Sequence, residues 1–238
     1  MDFEARVQRV YERLLSPGDV AIDVGAHLGR HLFPMARRVA PTGRVIAFEP
    51  LPACRERLKL TLDEGYADLQ PIVTIHGCAL AEASGQAEFV VAREATAYSG
   101  LRQRTYEVPT TVERIPIEVR RLDELAVDLS SLTYVKVDAE GGELHILRGA
   151  SQTIARFRPT VTFEFGANAI SEYDITVFEM ADFWIERGYR IFDVLGRPLA
   201  NRDRFARSAT EQQVWDYVAF PEEAISVMER VLVELQSA

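Results

Sequence analysis

The segment Val20–Gly29, VAIDVGAHLG, determines the predicted fold of this chain. Its first five residues are apolar except for Asp23, which is typical of a parallel strand covered on both faces. Gly25 and Gly29 allow the backbone to turn tightly and to approach a ligand closely. Residues 30–40 then form a predicted helix whose N-terminus points at that ligand. This order of strand, glycine turn and helix predicts a nucleotide-type cofactor site at the carboxyl end of the first strand.

The spacing of the turn distinguishes between cofactor classes. Residues 23–29 follow an Asp-x-Gly-x-His-x-Gly pattern, whereas a dinucleotide fingerprint is Gly-x-Gly-x-x-Gly, with its second glycine making room for a pyrophosphate. The pattern therefore favours a cofactor without a phosphate. We expect a left-handed or turn conformation at His27, because histidine tolerates a positive φ better than most residues.

Composition limits the function classes. The chain has 238 residues, of which 47% are hydrophobic and 26% are charged, as in a soluble α/β domain with a substantial core. The net charge of −9 does not favour a nucleic acid partner. Two cysteines, Cys54 and Cys78, are too few for a disulfide scaffold, and we expect Cys78 in the core. The sequence shows no signal peptide and no apolar run of membrane-spanning length, which predicts a cytoplasmic protein without a membrane partner.

Strand and helix patterns alternate along the chain. Strands are predicted at residues 20–24, 45–48, 72–76, 87–92, 115–119, 134–137, 161–165, 189–194 and 214–220. Helices are predicted at residues 3–15, 30–40, 52–62, 142–157, 177–187 and 222–235, the last opened by Pro221. Between the last two strands we predict only a loop, rich in Arg, Asn and Asp, so these strands can pair antiparallel.

This pattern predicts an α/β fold. We expect a doubly wound, mostly parallel, seven-stranded Rossmann-like sheet with an antiparallel last strand and a β-hairpin insertion after strand three. We expect one domain over residues 1–238. It would consist of an N-terminal helix (1–19), a cofactor-binding core (20–165) and a C-terminal part with substrate-side elements (166–238).

Acidic residues stand at or near the carboxyl ends of four predicted strands: Asp23, Glu49, Asp138 and Glu164. Ligands of open α/β sheets bind at this edge. Glu49 follows Gly29 by 20 residues, and a carboxylate at the end of strand two can accept hydrogen bonds from both hydroxyls of a ribose. The glycine turn and Glu49 together favour ribose binding over a merely solvated carboxylate.

The segment 136–143, KVDAEGGE, carries three carboxylates and a lysine around a predicted strand-to-helix turn. Crowded carboxylates raise one another's pKa or attract a cation. One of them can therefore be a general base on a substrate hydroxyl, or two of them can hold a divalent metal. Glu143 can also simply interact with the helix dipole.

Five segments share their order and spacing with a known family. They are DVGAHLG (23–29), FEP (48–50), VKVDAEGGE (135–143), LRGA (147–150) and FE (163–164). Together they resemble the FkbM family of S-adenosylmethionine-dependent methyltransferases, over about residues 20–165. The most specific element is Lys-x-Asp-x-Glu-Gly-x-Glu followed by Arg-Gly-Ala. The resemblance implies an enzyme that methylates a hydroxyl of a small molecule, sugar or natural product.

The resemblance also implies a set of site residues. The cofactor-binding residues would be Asp23, Gly25, Ala26, His27, Gly29, Glu49, Pro50, Cys78, Ala79, Leu80, Ser99 and Asp138. Glu49 would hold the ribose, the turn at residues 77–80 would flank the adenine, and Asp138 would face the methionine moiety and the acceptor. The chain departs from the family at His27, where members usually have Asn.

The cofactor carries an already activated methyl group, so the protein must align the acceptor and remove its proton. The predicted catalytic residues are Asp138, Glu140 and Glu164, and for His145 we favour a structural position on a helix face. A divalent metal on the carboxylates is the less favoured alternative. We expect the polar segment 96–109 to be a lid that orders on binding of cofactor or substrate.

Two other functions stay open at this point. A nucleotide-dependent oxidoreductase would share the sheet and the ribose carboxylate, and a non-catalytic binding module would share the fold. The expected partner is a small-molecule acceptor. A homodimer through the terminal helices is a further alternative.

Overall fold

The computed structural model describes residues 2–104, 106 and 109–236, and in this part strands and helices alternate as predicted. Residues 1, 237 and 238 of the predicted domain, and residues 105, 107 and 108 of the predicted lid, lie outside the described residues. The strands are β1 (Val20–Val24), β2 (Arg44–Phe48), β3 (Val73–His76), β4 (Ala79–Leu80), β5 (Gly85–Ala92), β6 (Val112–Arg120), β7 (Tyr134–Val137), β8 (Thr160–Glu164), β9 (Tyr189–Asp193) and β10 (Asp216–Pro221). The α-helices are α1 (Phe3–Leu14), α2 (Leu32–Val39), α3 (Pro52–Gly65), α4 (Leu122–Leu125), α5 (Glu143–Gly149), α6 (Ser151–Phe157), α7 (Val177–Ile185), α8 (Arg202–Glu211) and α9 (Ile225–Gln236).

Seven of the described strands form one sheet in the order β3-β2-β1-β7-β8-β10-β9. All neighbours are parallel except β10, which is antiparallel to both β8 and β9. This confirms the predicted α/β fold with an antiparallel last strand. Because the order reverses between β1 and β7, the carboxyl ends of these strands leave a crevice in which ligands bind in such sheets.

Helices cover both faces of the sheet. Side chains alternate along a strand, so Ala21 packs into the layer of α1, α2, α3 and α9 while Ile22 packs into the layer of α4 to α8. Trp184 and Tyr11, both fully buried, are among the largest side chains of the two layers. Among the described residues, no helix combines the length and the apolar character needed to cross a membrane.

The predicted hairpin insertion after strand three belongs to a second, smaller sheet. In it β5 and β6 pair antiparallel over eight residue pairs, and β4 pairs parallel with β6. The short elements β4 and α4 were absent from the sequence prediction because two to four residues are too few to show a period. As a result Cys78 and the two residues of β4 stand in the wall beside β2, and the predicted burial of Cys78 is confirmed.

The prediction of a simple loop between the last two strands was wrong, because α8 connects β9 to β10. Asn201 caps this helix by accepting a hydrogen bond from the backbone N–H of Arg204 at 2.9 Å. Phe205, Ala206 and Ala209 form its buried face. The many charged residues between these three positions hide the helical period in the sequence.

Two helix predictions also need correction. The helix predicted at residues 142–157 is divided into α5 and α6 at Ala150, whose backbone (φ −108°, ψ 9°) is not helical. Pro221 does not open the terminal helix. It ends β10, paired with Tyr189, and α9 starts four residues later at Ile225. At the other end of the chain, α2 begins at Leu32, so residues 30 and 31 complete the turn after β1.

Candidate active site

A cavity of about 340 Å³ lies at the carboxyl ends of β1, β2, β7 and β8. Most of the predicted site residues line this cavity: Asp23, Gly25, Ala26, His27, Glu49, Pro50, Cys78, Ala79, Leu80, Ser99, Asp138, Glu140 and Glu164. His145 does not line it; its ring pairs with Glu82 at 3.2 Å on the helix face. The structure thus brings residues from six sequence segments to one place.

Gly29 is the predicted cofactor residue that the structure does not bring to the cavity wall. It has a φ of +87°, and a Cβ on it would lie 2.3 Å from the ring of Phe33. The glycine therefore allows α2 to pack tightly against the turn after β1.

The turn after β1 carries the expected left-handed residues. Gly25 has a φ of +78° and His27 a φ of +46°, as predicted for His27. The backbone N–H of His27 donates to Glu49 Oε2 at 2.8 Å, and its ring Nε2 lies 3.0 Å from Thr96 Oγ1. Burial lowers the pKa of His27. The turn is thereby tied to the end of β2 on one side and to the segment after β5 on the other.

Glu49 is held in a fixed orientation at the end of β2. Besides the bond to His27, its Oε1 accepts from the backbone N–H of Leu51 at 2.8 Å. Its exposure is 4%, and burial raises its pKa although both backbone hydrogen bonds lower it. Each carboxylate oxygen still has a second lone pair, so Glu49 can accept two hydroxyl donors from the cavity side.

Asp23 and Lys136 form the buried floor of the cavity. They are register partners on β1 and β7, and Lys136 Nζ lies 3.9 Å from Asp23 Oδ1. Neither Asp23 oxygen accepts a hydrogen bond from the described residues. Burial raises the pKa of Asp23 despite the nearby lysine. An orphaned buried carboxylate facing a cavity is a receptor for a cationic or N–H-bearing ligand group.

Asp138 and Glu164 form a carboxyl pair at the ends of β7 and β8. Burial alone would raise the pKa of Asp138, but Lys136 at 3.0 Å and a hydrogen bond from Glu164 lower it. Burial and the charges of Asp138 and Asp216 raise the pKa of Glu164 well above its usual range. The pKa values of the two carboxyls are therefore shifted in opposite directions, so that Glu164 binds a proton more tightly than Asp138 does.

Glu140 also lines the cavity, close to this pair. It pairs with Arg104, whose guanidinium stands 5.2 Å over the ring of Tyr98. Carboxylate oxygens of Asp138, Glu140 and Glu164 all lie within 4.8 Å of one another, a separation that a metal ion could bridge. Thr96, Ala97, Tyr98, Ser99 and Leu101 complete the wall, so described residues of the predicted lid segment form part of the cavity wall.

Sequence reasoning missed a group of residues that reach the cavity from α1, from the turn just before α2 and from the residue just before β10. Glu4 and His31 line it together, and their side chains form a close pair. His31 Nδ1 also contacts the Tyr11 hydroxyl at 3.2 Å. Trp215 forms the rim, with the ring of Phe3 edge-on at 4.7 Å. No motif marks these residues: Glu4 and Trp215 lie far from the glycine turn in the sequence, and His31 lies two residues beyond the motif segment 23–29.

Comparison with known proteins agrees with this architecture. Residues 23–191 match the model of the methyltransferase FkbM domain. The fold is similar to that of methyltransferase FkbM from Methylobacillus flagellatus, with a TM-score of 0.54 and 18% identity over 88% of this chain and 47% of that protein. It is also similar to the O-methyltransferase TomG from Streptomyces achromogenes, which is involved in tomaymycin synthesis and was solved in complex with SAM. For TomG the TM-score is 0.50, with 14% identity over 92% of this chain and 79% of TomG.

One protein with a similar sequence is much longer than this chain. The AMB antimetabolite synthetase AmbE of Pseudomonas aeruginosa is 37% identical over 103 residues, which are 42% of this chain. The chain spans only 5% of AmbE and less than half of the Methylobacillus protein.

Proposed function

The chain belongs to the FkbM methyltransferase family, and from this premise we propose that it transfers the methyl group of S-adenosylmethionine to a hydroxyl of a small molecule, such as a sugar or a natural product. One observation carries the proposal. A carboxylate fixed for diol binding, Glu49, and a carboxyl pair whose pKa values are shifted in opposite directions, Asp138 and Glu164, line the same cavity.

The residues of the cavity fit S-adenosylmethionine. Glu49 can accept the two ribose hydroxyls with its free lone pairs. The orphaned carboxylate of Asp23 suits the ammonium group of the methionine moiety. Phe48, Cys78 and Leu80 provide an apolar wall for a planar base. When bound, the cofactor supplies a methyl group already activated for transfer.

The remaining task of the protein is to hold the acceptor oxygen in line and to receive its proton. Asp138 lines the cavity and its lowered pKa favours the charged form, so it can accept a hydrogen bond from the acceptor hydroxyl and orient the oxygen. The hydroxyl becomes strongly acidic only as its new bond to carbon forms. At that stage a carboxylate of lowered pKa is a sufficient proton acceptor. Lys136 and Glu164 keep Asp138 in place by hydrogen bonding to it.

Metal-assisted deprotonation is the less favoured mechanism. Of the three carboxylates near enough to share an ion, Glu140 is already paired with Arg104, and the raised pKa of Glu164 favours its protonated form. A metal would have to displace both interactions. Acceptor-dependent turnover that survives EDTA supports the carboxylate mechanism.

Calorimetric titration of the purified protein tests the cofactor. We expect micromolar binding of S-adenosylmethionine and of its demethylated product, and none of NAD. Binding of NAD alone would support the oxidoreductase instead, and binding of neither cofactor would support the non-catalytic module. A screen of hydroxyl and amine acceptors, with the demethylated product as readout, then tests O-methylation.

A further inference from the structure

The turn between β7 and α5, residues 138–142, has an unusual backbone. Glu140 and Gly141 both have a positive φ, of +56° and +100°. Glycine adopts this conformation freely, but a glutamate does so only when the surrounding structure enforces it. The turn carries two cavity carboxylates, Asp138 and Glu140, so whatever enforces its shape also determines where these groups point.

Glu143 is the residue that binds this turn. It is 1% exposed and does not line the cavity. Its Oε1 accepts hydrogen bonds from the backbone N–H of Ala139 at 2.8 Å and of Gly141 at 3.1 Å. These two N–H groups flank Glu140. The turn thus forms a small anion nest, and the carboxylate of the same chain fills it.

The opposite side of the turn packs against the segment that follows β8. A Cβ on Gly141 would lie 2.2 Å from the Ala169 carbonyl oxygen and 2.8 Å from the Tyr173 ring. The tight fit explains why residue 141 is glycine, but it provides no partner for the two N–H groups. Without Glu143, the buried N–H of Gly141 and the part-buried N–H of Ala139 would both lose their acceptor, which is a strong reason for the turn to change shape.

We propose that Glu143 is a positioning residue of the active site, which acts through the backbone of residues 139–141 to aim Asp138 and Glu140 into the cavity. The hydrogen bonds from the turn to Glu143 are seen in the structure, whereas the expected effect of Glu143 on cofactor binding rests on the proposed function. The helix-dipole role considered from the sequence would be satisfied by any acidic residue at the start of α5. The structure assigns a more specific role, which requires an acceptor oxygen at this position.

The test compares Glu143→Gln, which keeps an acceptor oxygen, with Glu143→Ala, which removes it. Glu229→Ala, at an exposed position of α9, is the matched control. We expect Glu143→Ala to weaken S-adenosylmethionine binding at least about tenfold. Glu143→Gln should stay within about threefold of the wild type, since its amide oxygen can accept the same bonds. Unchanged affinity in folded Glu143→Ala, or equal losses in Gln and Ala, would overturn the proposal.

Amide hydrogen exchange separates this proposal from the proposed function, because it needs no cofactor. Exchange at Ala139 and Gly141 should be at least about tenfold faster in Glu143→Ala than in Glu143→Gln. Faster exchange in a protein that does not bind S-adenosylmethionine would support the positioning role and refute only the proposed cofactor. Equal exchange in both variants would refute the positioning role itself.

A second variant covers the case in which Glu143→Ala does not fold. Glu143→Asp keeps the charge but withdraws the oxygens from the turn by one methylene. Weaker cofactor binding and faster exchange in this variant support the proposal, whereas wild-type values for both overturn it. Adding Glu140→Gly to Glu143→Ala or to Glu143→Asp should recover thermal stability, because glycine adopts the left-handed conformation at residue 140 without strain.

Discussion

Gly25 and Asp138 meet at the centre of the site, where a Cβ on Gly25 would lie 1.8 Å from the Asp138 carbonyl oxygen. The contact joins the turn after β1, which leads to Glu49 through His27, to the turn after β7, which carries the proposed base. The residues proposed to bind the cofactor and those proposed to act on the acceptor are therefore in close contact at Gly25.

Gly25→Ala should disrupt this junction. An L-residue at a φ of +78° is strained, and the methyl group clashes with backbone, so we expect the free energy of unfolding to fall by more than about 2 kcal/mol. Gly85→Ala is the control, because nothing lies within 4 Å of a Cβ there. Urea denaturation of both variants measures the difference. Equal free energies of unfolding for the two variants would contradict the close contact between Gly25 and Asp138.

Glu49→Ala should weaken binding of S-adenosylmethionine by about 10- to 100-fold, since hydrogen bonds to a charged acceptor contribute about 1.5–3 kcal/mol each. Calorimetry measures the affinity, and Glu56→Ala on the exposed side of α3 is the matched control. A folded Glu49→Ala protein with wild-type affinity would eliminate the ribose role.

The opposite pKa shifts of Asp138 and Glu164 give opposite predictions for the two members of the carboxyl pair. Glu164→Gln imitates the protonated state and should retain most of the methyl transfer at pH 7. Asp138→Asn removes the proton acceptor and should reduce the rate by at least about 100-fold. Acceptor-dependent formation of the demethylated cofactor measures both. If Glu164→Gln loses as much activity as Asp138→Asn, Glu164 is the base instead.

Glu143 should also make stability depend on pH. Burial raises its pKa from 4.5 to about 7, so the folded state binds this proton more tightly than the unfolded chain. The resulting stabilisation is complete below pH 4.5 and is lost as the pH rises through 7. Relative to Glu143→Gln, the free energy of unfolding of the wild type should fall by up to about 3 kcal/mol between pH 4.5 and 7.5. Urea denaturation across this range checks the sign, and a gain of relative stability with pH would contradict it.

The lid prediction can be tested with trypsin at Arg102 and Arg104. Two side-chain pairs join the described part of this segment to the rest of the cavity wall. Thr96 contacts His27, and Arg104 pairs with Glu140. We expect S-adenosylmethionine to slow cleavage here, and Arg104→Ala to speed cleavage after Arg102 because the ion pair is lost. Equal cleavage at Arg102 with and without cofactor would refute the ordering.

The sequence by itself determined the sheet and the location of the site. Strand patterns, glycine turns and helix stops are local, so they identified the seven strands of the main sheet and the edge at which Asp23, Glu49, Asp138 and Glu164 stand. Its failures were also local. The charged surface of α8 concealed a helix, and the pattern showed no break at Ala150, where α5 ends and α6 begins.

Only the tertiary structure decided how these groups interact. The register of β1 with β7 places Lys136 opposite Asp23, and that of β8 with β10 places Asp216 opposite Glu164. These pairings join residues more than 50 positions apart. Together with burial they shift the pKa values of the carboxyls in opposite directions, and α1 adds Glu4 to the same cavity. A one-dimensional pattern contains neither cross-strand register nor burial, which is why it could list the acids of this site but not the direction in which the pKa of each is shifted.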